Sequence, residues 1–204
     1  MKLFYSPGAC SMAPHIALRE AGLPFTLEKV DLRAKKTEHG TDFAAINPKG
    51  YVPALELDDG TLLTEAGVML QYIADQAPAS ELAPAFGTMA RYHLMETIHF
   101  IATELHKSAG ALFNPAAPEE WRQVVLGLLG RRFGFIENRL GDRPYIEGGR
   151  FTVADAYLFT VLSWSRPLKI DLAPWPGLLA YLARIGNRPK VNETLRAEGL
   201  ISAS

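Results

Sequence analysis

The chain has 204 residues, of which 48% are hydrophobic and 21% are charged, proportions that are ordinary for a globular protein. Its formal net charge of −1 argues against nucleic acid or an acidic membrane as a partner, because both select strongly basic surfaces. A single cysteine excludes an intrachain disulfide, and no apolar run is long enough to span a bilayer, so we expect a cytoplasmic protein.

The first third of the chain alternates between strand and helix patterns. Strand patterns occupy four short segments: residues 2–5, 25–31, 51–57 and 61–63. Apolar side chains recur at helical spacing in residues 12–21 and 65–74. Residues 32–43 are polar and predict a mobile segment. This order predicts a small α/β sheet domain.

The remaining two thirds show helix patterns alone. Residues 76–88 contain two prolines and four alanines, which is typical of a linker. Helices are predicted over residues 89–108, 119–140, 152–165 and 176–185. We therefore predict an α/β domain over residues 1–78, a linker over 79–87 and an all-helical domain over 88–204.

Cys10 follows the first predicted strand and directly precedes the first predicted helix. The positive end of a helix dipole favours a thiolate, so this position suits a reactive thiol. A lone cysteine is also commonly a small buried hydrophobe. Both interpretations stay open on position alone.

Ser11 is placed to cap the first predicted helix, with Pro14 at the third helical position. The N–H groups of Met12 and Ala13 would then face an anion. In that arrangement either Cys10 is itself the thiolate, or Cys10 and Ser11 hold an incoming thiolate. The absence of a second cysteine disfavours exchange through a Cys-x-x-Cys pair.

Two further segments have a possible binding role. A cis Val52–Pro53 bond would turn the backbone groups of Val52 outward, although only about one X–Pro bond in twenty is cis. At Leu63-Thr-Glu65, the start of a helix offers N–H groups to a carboxylate, and Glu65 could accept an ammonium. Alternatively, Glu65 only complements the dipole of its own helix.

Polar residues of the helical region are interpreted as mostly structural. Thr152 and Asp155 have the spacing of a capping box, with Phe151 before them, which predicts a structural role for both. His99 and His106 are seven residues apart, too far to share a metal as an i, i+4 pair would, so no metal site is expected.

Five segments, through their order and spacing along the chain, resemble those of a known family. They are Ser6-Pro-Gly-Ala-Cys10-Ser11, Asn47-Pro-Lys-Gly-Tyr-Val-Pro53, Leu63-Thr-Glu65, Glu104-Leu-His106-Lys107 and Thr152-Val-Ala-Asp155. They make the whole chain similar to glutathione transferases of the bacterial beta class. Three more stretches resemble the branch found with aromatic (biphenyl-type) degradation pathways: Leu105-His106-Lys107-Ser108, Phe113-Asn114-Pro115 and Leu195-Arg-Ala-Glu-Gly-Leu200.

The resemblance implies a glutathione transferase fold. This fold has an α/β thioredoxin-like N-terminal domain, with a mixed sheet and a cis-proline, and an all-α C-terminal domain. It also implies a homodimer, with glutathione as cosubstrate and no metal.

The resemblance also implies roles for individual residues. Cys10 and His106, with Ser11, are expected near the thiol of glutathione. The remaining glutathione contacts implied are Lys35, Tyr51, Val52, Pro53, Glu65, Ala66 and Lys107, with His99 and Glu104 reaching the site of the second subunit. Where the family often has Ser or Gly, this chain has Ala66, which retains the backbone contact and loses a hydroxyl. The implied electrophile pocket comprises Pro7, Gly8, Ala9, Leu112, Phe113 and Trp164.

Three functions follow as hypotheses. The first is conjugation of the glutathione thiolate to hydrophobic electrophiles, including dehalogenation of aromatic-pathway compounds. The second is a glutathione-dependent disulfide oxidoreductase that uses Cys10 as a single thiol. The third is a glutathione- or ligand-binding protein without turnover.

Overall fold

The structure, a computed structural model, describes residues 1–202. Two compact units are present: Met1–Ala83 together with the chain from Pro189 onward, and Pro84–Arg188. The predicted boundaries differ from this division at the C-terminus, because residues 189–202 had been grouped with the helical domain. In the structure the last helix instead packs on the first helix of the chain.

The first unit contains a five-stranded sheet. Its strands are β1 (Lys2–Tyr5), β2 (Thr26–Asp31), β3 (Lys36–Thr37), β4 (Ala54–Glu56) and β5 (Leu62–Thr64). Their order across the sheet is β3-β2-β1-β4-β5, and only the β1–β2 pair is parallel. The mixed sheet that the family resemblance implied is therefore confirmed. The two-residue strand β3 lies in the segment predicted to be mobile.

Four α-helices belong to the described part of this unit: α1 (Met12–Ala21), α2 (Phe43–Ile46), α3 (Ala66–Gln76) and α10 (Pro189–Ala197). Helix α1 ends where Gly22 adopts φ +67°, a left-handed conformation that glycine tolerates without strain. Strand β1 is central in the sheet and is buried from Leu3 to Tyr5. The loop of residues 6–11 follows it and leads into α1.

The second unit is helical over its described residues. It comprises α4 (Met89–Phe100), α5 (Lys107–Ala111), α6 (Glu119–Leu140), α7 (Val153–Ser163), α8 (Ser165–Leu168) and α9 (Pro176–Gly186). A π-helical segment, Ile101–His106, joins α4 to α5. The long helix predicted over residues 89–108 therefore contains a change of winding, a feature that often occurs at functional positions. None of the helices within residues 1–202 is long and apolar enough to cross a membrane.

The capping box predicted at Thr152 and Asp155 is present at the start of α7. The Asp155 carboxylate accepts hydrogen bonds from the N–H groups of Ile146 and Thr152, both 2.9 Å, and from the hydroxyls of Thr152 and Tyr181 at 3.0 and 2.9 Å. Burial raises the pKa of Asp155 to about 6, against the opposing effect of these four bonds. Asp155 thus joins α7, α9 and the preceding loop within the second unit.

Candidate active site

The loop between β1 and α1 is held by the C-terminal segment of the same unit. Gly8 adopts φ +71°, and its N–H donates to Glu198 Oε2 at 2.8 Å. A side chain at Gly8 would begin 3.4 Å from Leu200 Cδ2, so glycine suits both the conformation and the close approach. The other Glu198 oxygen lies 2.8 Å from Nδ1 of the buried His15. These contacts set the position of the loop that carries Cys10.

The environment of Cys10 disfavours its thiolate form. Its Sγ donates to the carbonyl oxygen of Val52 at 3.2 Å. Burial raises the pKa of Cys10 to about 12, and the negative charge of Glu65 adds to the rise, while the backbone N–H groups of Cys10 and Ser11 oppose it. Desolvation therefore exceeds the effect of the nearby N–H groups, which by themselves favour the thiolate.

The acceptor of the Cys10 thiol belongs to a cis peptide unit. The Val52–Pro53 bond is cis, which the resemblance implied. Both residues are buried, and β4 begins directly after them at Ala54. The carbonyl of Val52 is thereby directed at Cys10.

Glu65 lies at the centre of a polar cluster at the start of α3. Its Oε1 accepts from Lys49 Nζ at 2.5 Å and from the Tyr51 hydroxyl at 2.9 Å. The pKa of Lys49 is raised by this hydrogen bond to the Glu65 carboxylate. Glu65 itself adopts φ +67°, an uncommon conformation for a residue with a side chain. Ala66 follows as the first residue of α3, where N–H groups lack an intrahelical acceptor.

Lys35 lies on the same unit, and its Nζ donates to the carbonyl of Gly50 at 2.6 Å. Asn47 orders the loop between them, since its Nδ2 donates to the Tyr51 carbonyl at 2.8 Å. The first unit thus brings Lys35, Tyr51, Val52 and Glu65 onto connected loops.

His106 ends the π-helical segment of the second unit. Its Nδ1 lies 2.6 Å from the Tyr157 hydroxyl. The edge of the ring also meets Trp164, with centroids 5.0 Å apart, and Trp164 in turn meets Phe113 at 5.6 Å. The structure therefore gathers His106, Phe113 and Trp164 into one aromatic group. Leu112, beside Phe113 in sequence, is buried.

The other polar residues predicted in this unit have separate environments. Glu104 accepts from Arg132 Nε at 2.6 Å. The exposed His99 contacts the Met95 carbonyl through Nδ1 at 2.9 Å, one turn earlier on α4. Lys107 is exposed. Within residues 1–202, no three His, Cys, Asp or Glu side chains are arranged to hold a metal ion.

Comparisons with known proteins identify the family. The family model for the N-terminal domain of glutathione S-transferase matches residues 8–76, and the model for its C-terminal domain matches residues 94–189. Glutathione S-transferase GstA of Escherichia coli O157:H7 is 49% identical over 98% of this chain and 100% of its own length. The chain belongs to the glutathione S-transferase family.

Solved structures give the class of this transferase. A ternary complex of BphK, a bacterial GST, is 54% identical over 98% of this chain and 100% of its own, with a TM-score of 0.96. A beta-class glutathione S-transferase from Sphingomonas chungbukensis is 47% identical over the same shares, with a TM-score of 0.95. The predicted beta-class transferase fold, with glutathione as cosubstrate, is thereby confirmed.

Ser11 of the transferase differs from its prediction. Its hydroxyl caps no N–H of α1; it donates to the Ser6 carbonyl at 3.2 Å and accepts from the Ser6 N–H at 3.1 Å. The side chain is fully buried, so it is not accessible to an incoming thiolate. Ser11 thus links the two ends of the β1–α1 loop, next to Cys10 in the chain.

The N–H groups of Met12 and Ala13 were predicted to face an anion, and this is also wrong. Met12 N–H donates to the Ala9 carbonyl at 2.9 Å, and Ala13 N–H donates to the Cys10 carbonyl at 3.2 Å. The tight turn that starts α1 uses these donors internally. The donors nearest the Cys10 sulfur are instead its own N–H and that of Ser11.

Sequence patterns alone did not indicate a role for Lys49, Tyr157 or Glu198. Lys49 and Glu198 both stood inside segments that carried the resemblance, but their partners are 16 and 190 residues away. Tyr157 carries a hydroxyl group on α7, a helix whose residues 153–162 are all buried. A buried tyrosine hydroxyl usually has a hydrogen-bond partner, and this expectation was the one signal that could have indicated a role for Tyr157.

Proposed function

We propose that the transferase binds glutathione along the first unit through the polar cluster at α3 and the backbone of Val52. Glu65 would accept the ammonium of the γ-glutamyl group, and the Ala66 N–H would meet its carboxylate. The observation that carries this proposal is the orientation of Glu65. Lys49 and Tyr51 both donate to its Oε1, so the carboxylate has a fixed position at the start of α3.

The cysteinyl unit would pair with the backbone of Val52, beside cis-Pro53. Its N–H would donate to the Val52 carbonyl, which already accepts from Cys10 Sγ. A carbonyl oxygen has two lone pairs, so both donors can be accommodated. The glycyl carboxylate would meet Lys107, with Lys35 as a second cation.

The neutral state of Cys10 suits a supporting role toward the glutathione sulfur. Burial raises the pKa of Cys10 to about 12, so the thiol form predominates at pH 7. Two adjacent thiolates would repel each other, whereas a thiol can donate a hydrogen bond to a thiolate. Cys10 and His106 would then lower the pKa of the glutathione thiol from its ordinary value of about 8.5.

The reaction proposed is attack of the glutathione thiolate on an electrophilic carbon. A C–S bond forms, and in a displacement the halide leaves with the electron pair of the bond that breaks. Leu112, Phe113 and Trp164 supply apolar surface for the electrophile on the second unit. Pro7, Gly8 and Ala9 supply part of the loop surface on the first unit. Halogenated aromatic compounds fit such surfaces, in line with the resemblance to the branch found with aromatic degradation pathways.

The disulfide oxidoreductase hypothesis is less well supported. Attack on a disulfide requires a thiolate, and burial keeps Cys10 protonated. A binding protein without turnover would not need the Cys10 and His106 groups. The observations therefore favour conjugation.

The decisive experiment compares Cys10→Ala and Glu65→Gln with the wild type in a conjugation assay that varies glutathione. We expect Glu65→Gln to raise the KM for glutathione about tenfold or more, because a charged acceptor is lost. Cys10→Ala should raise the pKa of the bound thiol, read from thiolate absorbance against pH. The mechanism is refuted if both variants match the wild type. Glu56→Gln, a part-exposed carboxylate on β4, serves as the matched control.

We also propose a homodimer located in the cytoplasm. His99 and Glu104 would then contact glutathione bound to the second subunit. Light scattering during size-exclusion chromatography measures the assembly, and a protein that is monomeric at assay concentration would exclude that contribution.

A further inference from the structure

The contact between His106 and Tyr157 is among the shortest side-chain hydrogen bonds of the second unit, at 2.6 Å between Nδ1 and the phenolic oxygen. Tyr157 is 2% exposed and lies on α7, the most deeply buried helix of this unit. Because α7 packs against the π-helical segment, the hydroxyl has a fixed position relative to His106.

Either group can be the donor in this bond, depending on the tautomer of the ring. An imidazole nitrogen is a far stronger base than a phenolic oxygen, which favours donation by the phenol to Nδ1. A neutral imidazole has one accepting and one donating nitrogen. If Nδ1 accepts from Tyr157, the ring proton is on Nε2.

Packing fixes the plane of the same ring. The rings of Tyr157 and Trp164 both meet His106 edge to face, with centroid distances of 5.7 and 5.0 Å. Gly110 lies one turn later, and a side chain there would begin 3.7 Å from His106 Cδ2. The orientation of His106 is therefore constrained by the surrounding rings and by its own helix.

We propose that Tyr157 is a positioning residue that holds His106 as the Nε2–H tautomer. His106 then acts on the glutathione sulfur as a hydrogen-bond donor, and does not take the thiol proton. That proton leaves to solvent when glutathione binds, and Tyr157 stays protonated throughout. The catalytic part of this inference rests on the proposed role of His106 at the glutathione thiol.

The tautomer is tested with protein labelled with ¹⁵N-histidine. Long-range ¹H–¹⁵N correlation spectra distinguish a protonated from an unprotonated ring nitrogen, and His106→Phe assigns the signals. We expect an unprotonated Nδ1 in the wild type and a mixture of tautomers in Tyr157→Phe, which keeps the ring and removes only the hydroxyl. A protonated Nδ1 in the neutral wild-type ring, or an unchanged tautomer in Tyr157→Phe, would overturn the proposal.

The catalytic consequence is measured separately. Tyr157→Phe should lower kcat/KM roughly five- to tenfold and raise the pKa of bound glutathione, with the KM for glutathione nearly unchanged. The matched control is Tyr181→Phe, which removes another buried hydroxyl, bonded to Asp155 at 2.9 Å. It should lower the unfolding midpoint and leave the His106 tautomer unchanged.

Different results would overturn the role of His106 and the role of Tyr157. If His106→Phe leaves the pKa of bound glutathione unchanged, the proposed role of His106 is wrong, whatever its tautomer. If His106→Phe raises that pKa but Tyr157→Phe does not, the role of His106 stands and that of Tyr157 is overturned. Calorimetry of glutathione binding in buffers of different ionisation enthalpy counts the protons released to solvent. Release of one proton for each thiol ionised supports His106 as a hydrogen-bond donor, whereas retention of that proton by the protein refutes this role.

Discussion

Replacing Glu198 with alanine tests whether the C-terminal segment holds the loop that carries Cys10. Glu198 is 5% exposed, and its carboxylate accepts from the Gly8 N–H at 2.8 Å. Its second oxygen lies 2.8 Å from His15 Nδ1. Arg19 Nε donates to His15 Nε2 at 3.0 Å, and a guanidinium only donates, so His15 carries its proton on Nδ1 and donates to Glu198.

The alanine variant leaves two donors without an acceptor. Each buried donor left unpaired costs about 1–3 kcal/mol, which gives about 2–6 kcal/mol for the pair. For a chain of this size, that loss corresponds to a fall in Tm of about 4–24 °C. Because Gly8 is two residues from Cys10, we also expect a higher KM for glutathione.

The assay is urea unfolding followed by circular dichroism, with steady-state kinetics on the same samples. Glu193→Ala is the matched control, since this carboxylate on α10 is 42% exposed and makes surface pairs with Lys190 and Arg19, which contribute little to stability. Glu198→Gln retains an acceptor for Gly8 and should be intermediate. If Glu198→Ala is destabilised no more than Glu193→Ala, the reasoning about this loop is refuted.

Three further results are expected. Lys49→Met should raise the KM for glutathione about two- to fivefold with kcat unchanged, because Glu65 loses a partner at 2.5 Å; equal kinetics would contradict it. Alkylation of Cys10 by iodoacetamide should keep accelerating with pH beyond 9, since burial raises the pKa of the thiol to about 12; a plateau near pH 9 would contradict this value. Asp155→Ala should lose about 3–5 kcal/mol in urea unfolding, because four buried donors lose their acceptor; a loss below about 1 kcal/mol would show that they find other partners.

Local patterns were sufficient for most regular elements. Strand β1, helix α1 and helix α6 have the predicted bounds, Lys2–Tyr5, Met12–Ala21 and Glu119–Leu140. In each case the signal is short-range: an apolar run, a terminating glycine or an apolar stripe at helical spacing. Strand β3 escaped prediction because two residues at a sheet edge leave almost no pattern.

The sequence identified several residues of the candidate site, but it did not predict their hydrogen-bond partners. Glu65, Val52 and Cys10 were identified through motifs, and the cis state of Val52–Pro53 followed from the family resemblance. The partners of these residues were not predicted, because Lys49 and Tyr51 are 16 and 14 residues away from Glu65 in the chain. Ser11 was predicted as a cap from its residue type, while the structure pairs its hydroxyl with Ser6.

The sequence by itself determined the family, the order of most strands and helices, and the presence of a single thiol before α1. Only the tertiary structure decided the state of that thiol. Position at a helix N-terminus favours ionisation, whereas burial beside Val52 and the charge of Glu65 oppose it. Burial and charge depend on residues 42 and 55 positions away, so the pKa of Cys10 is a property of the folded chain and not of its local sequence.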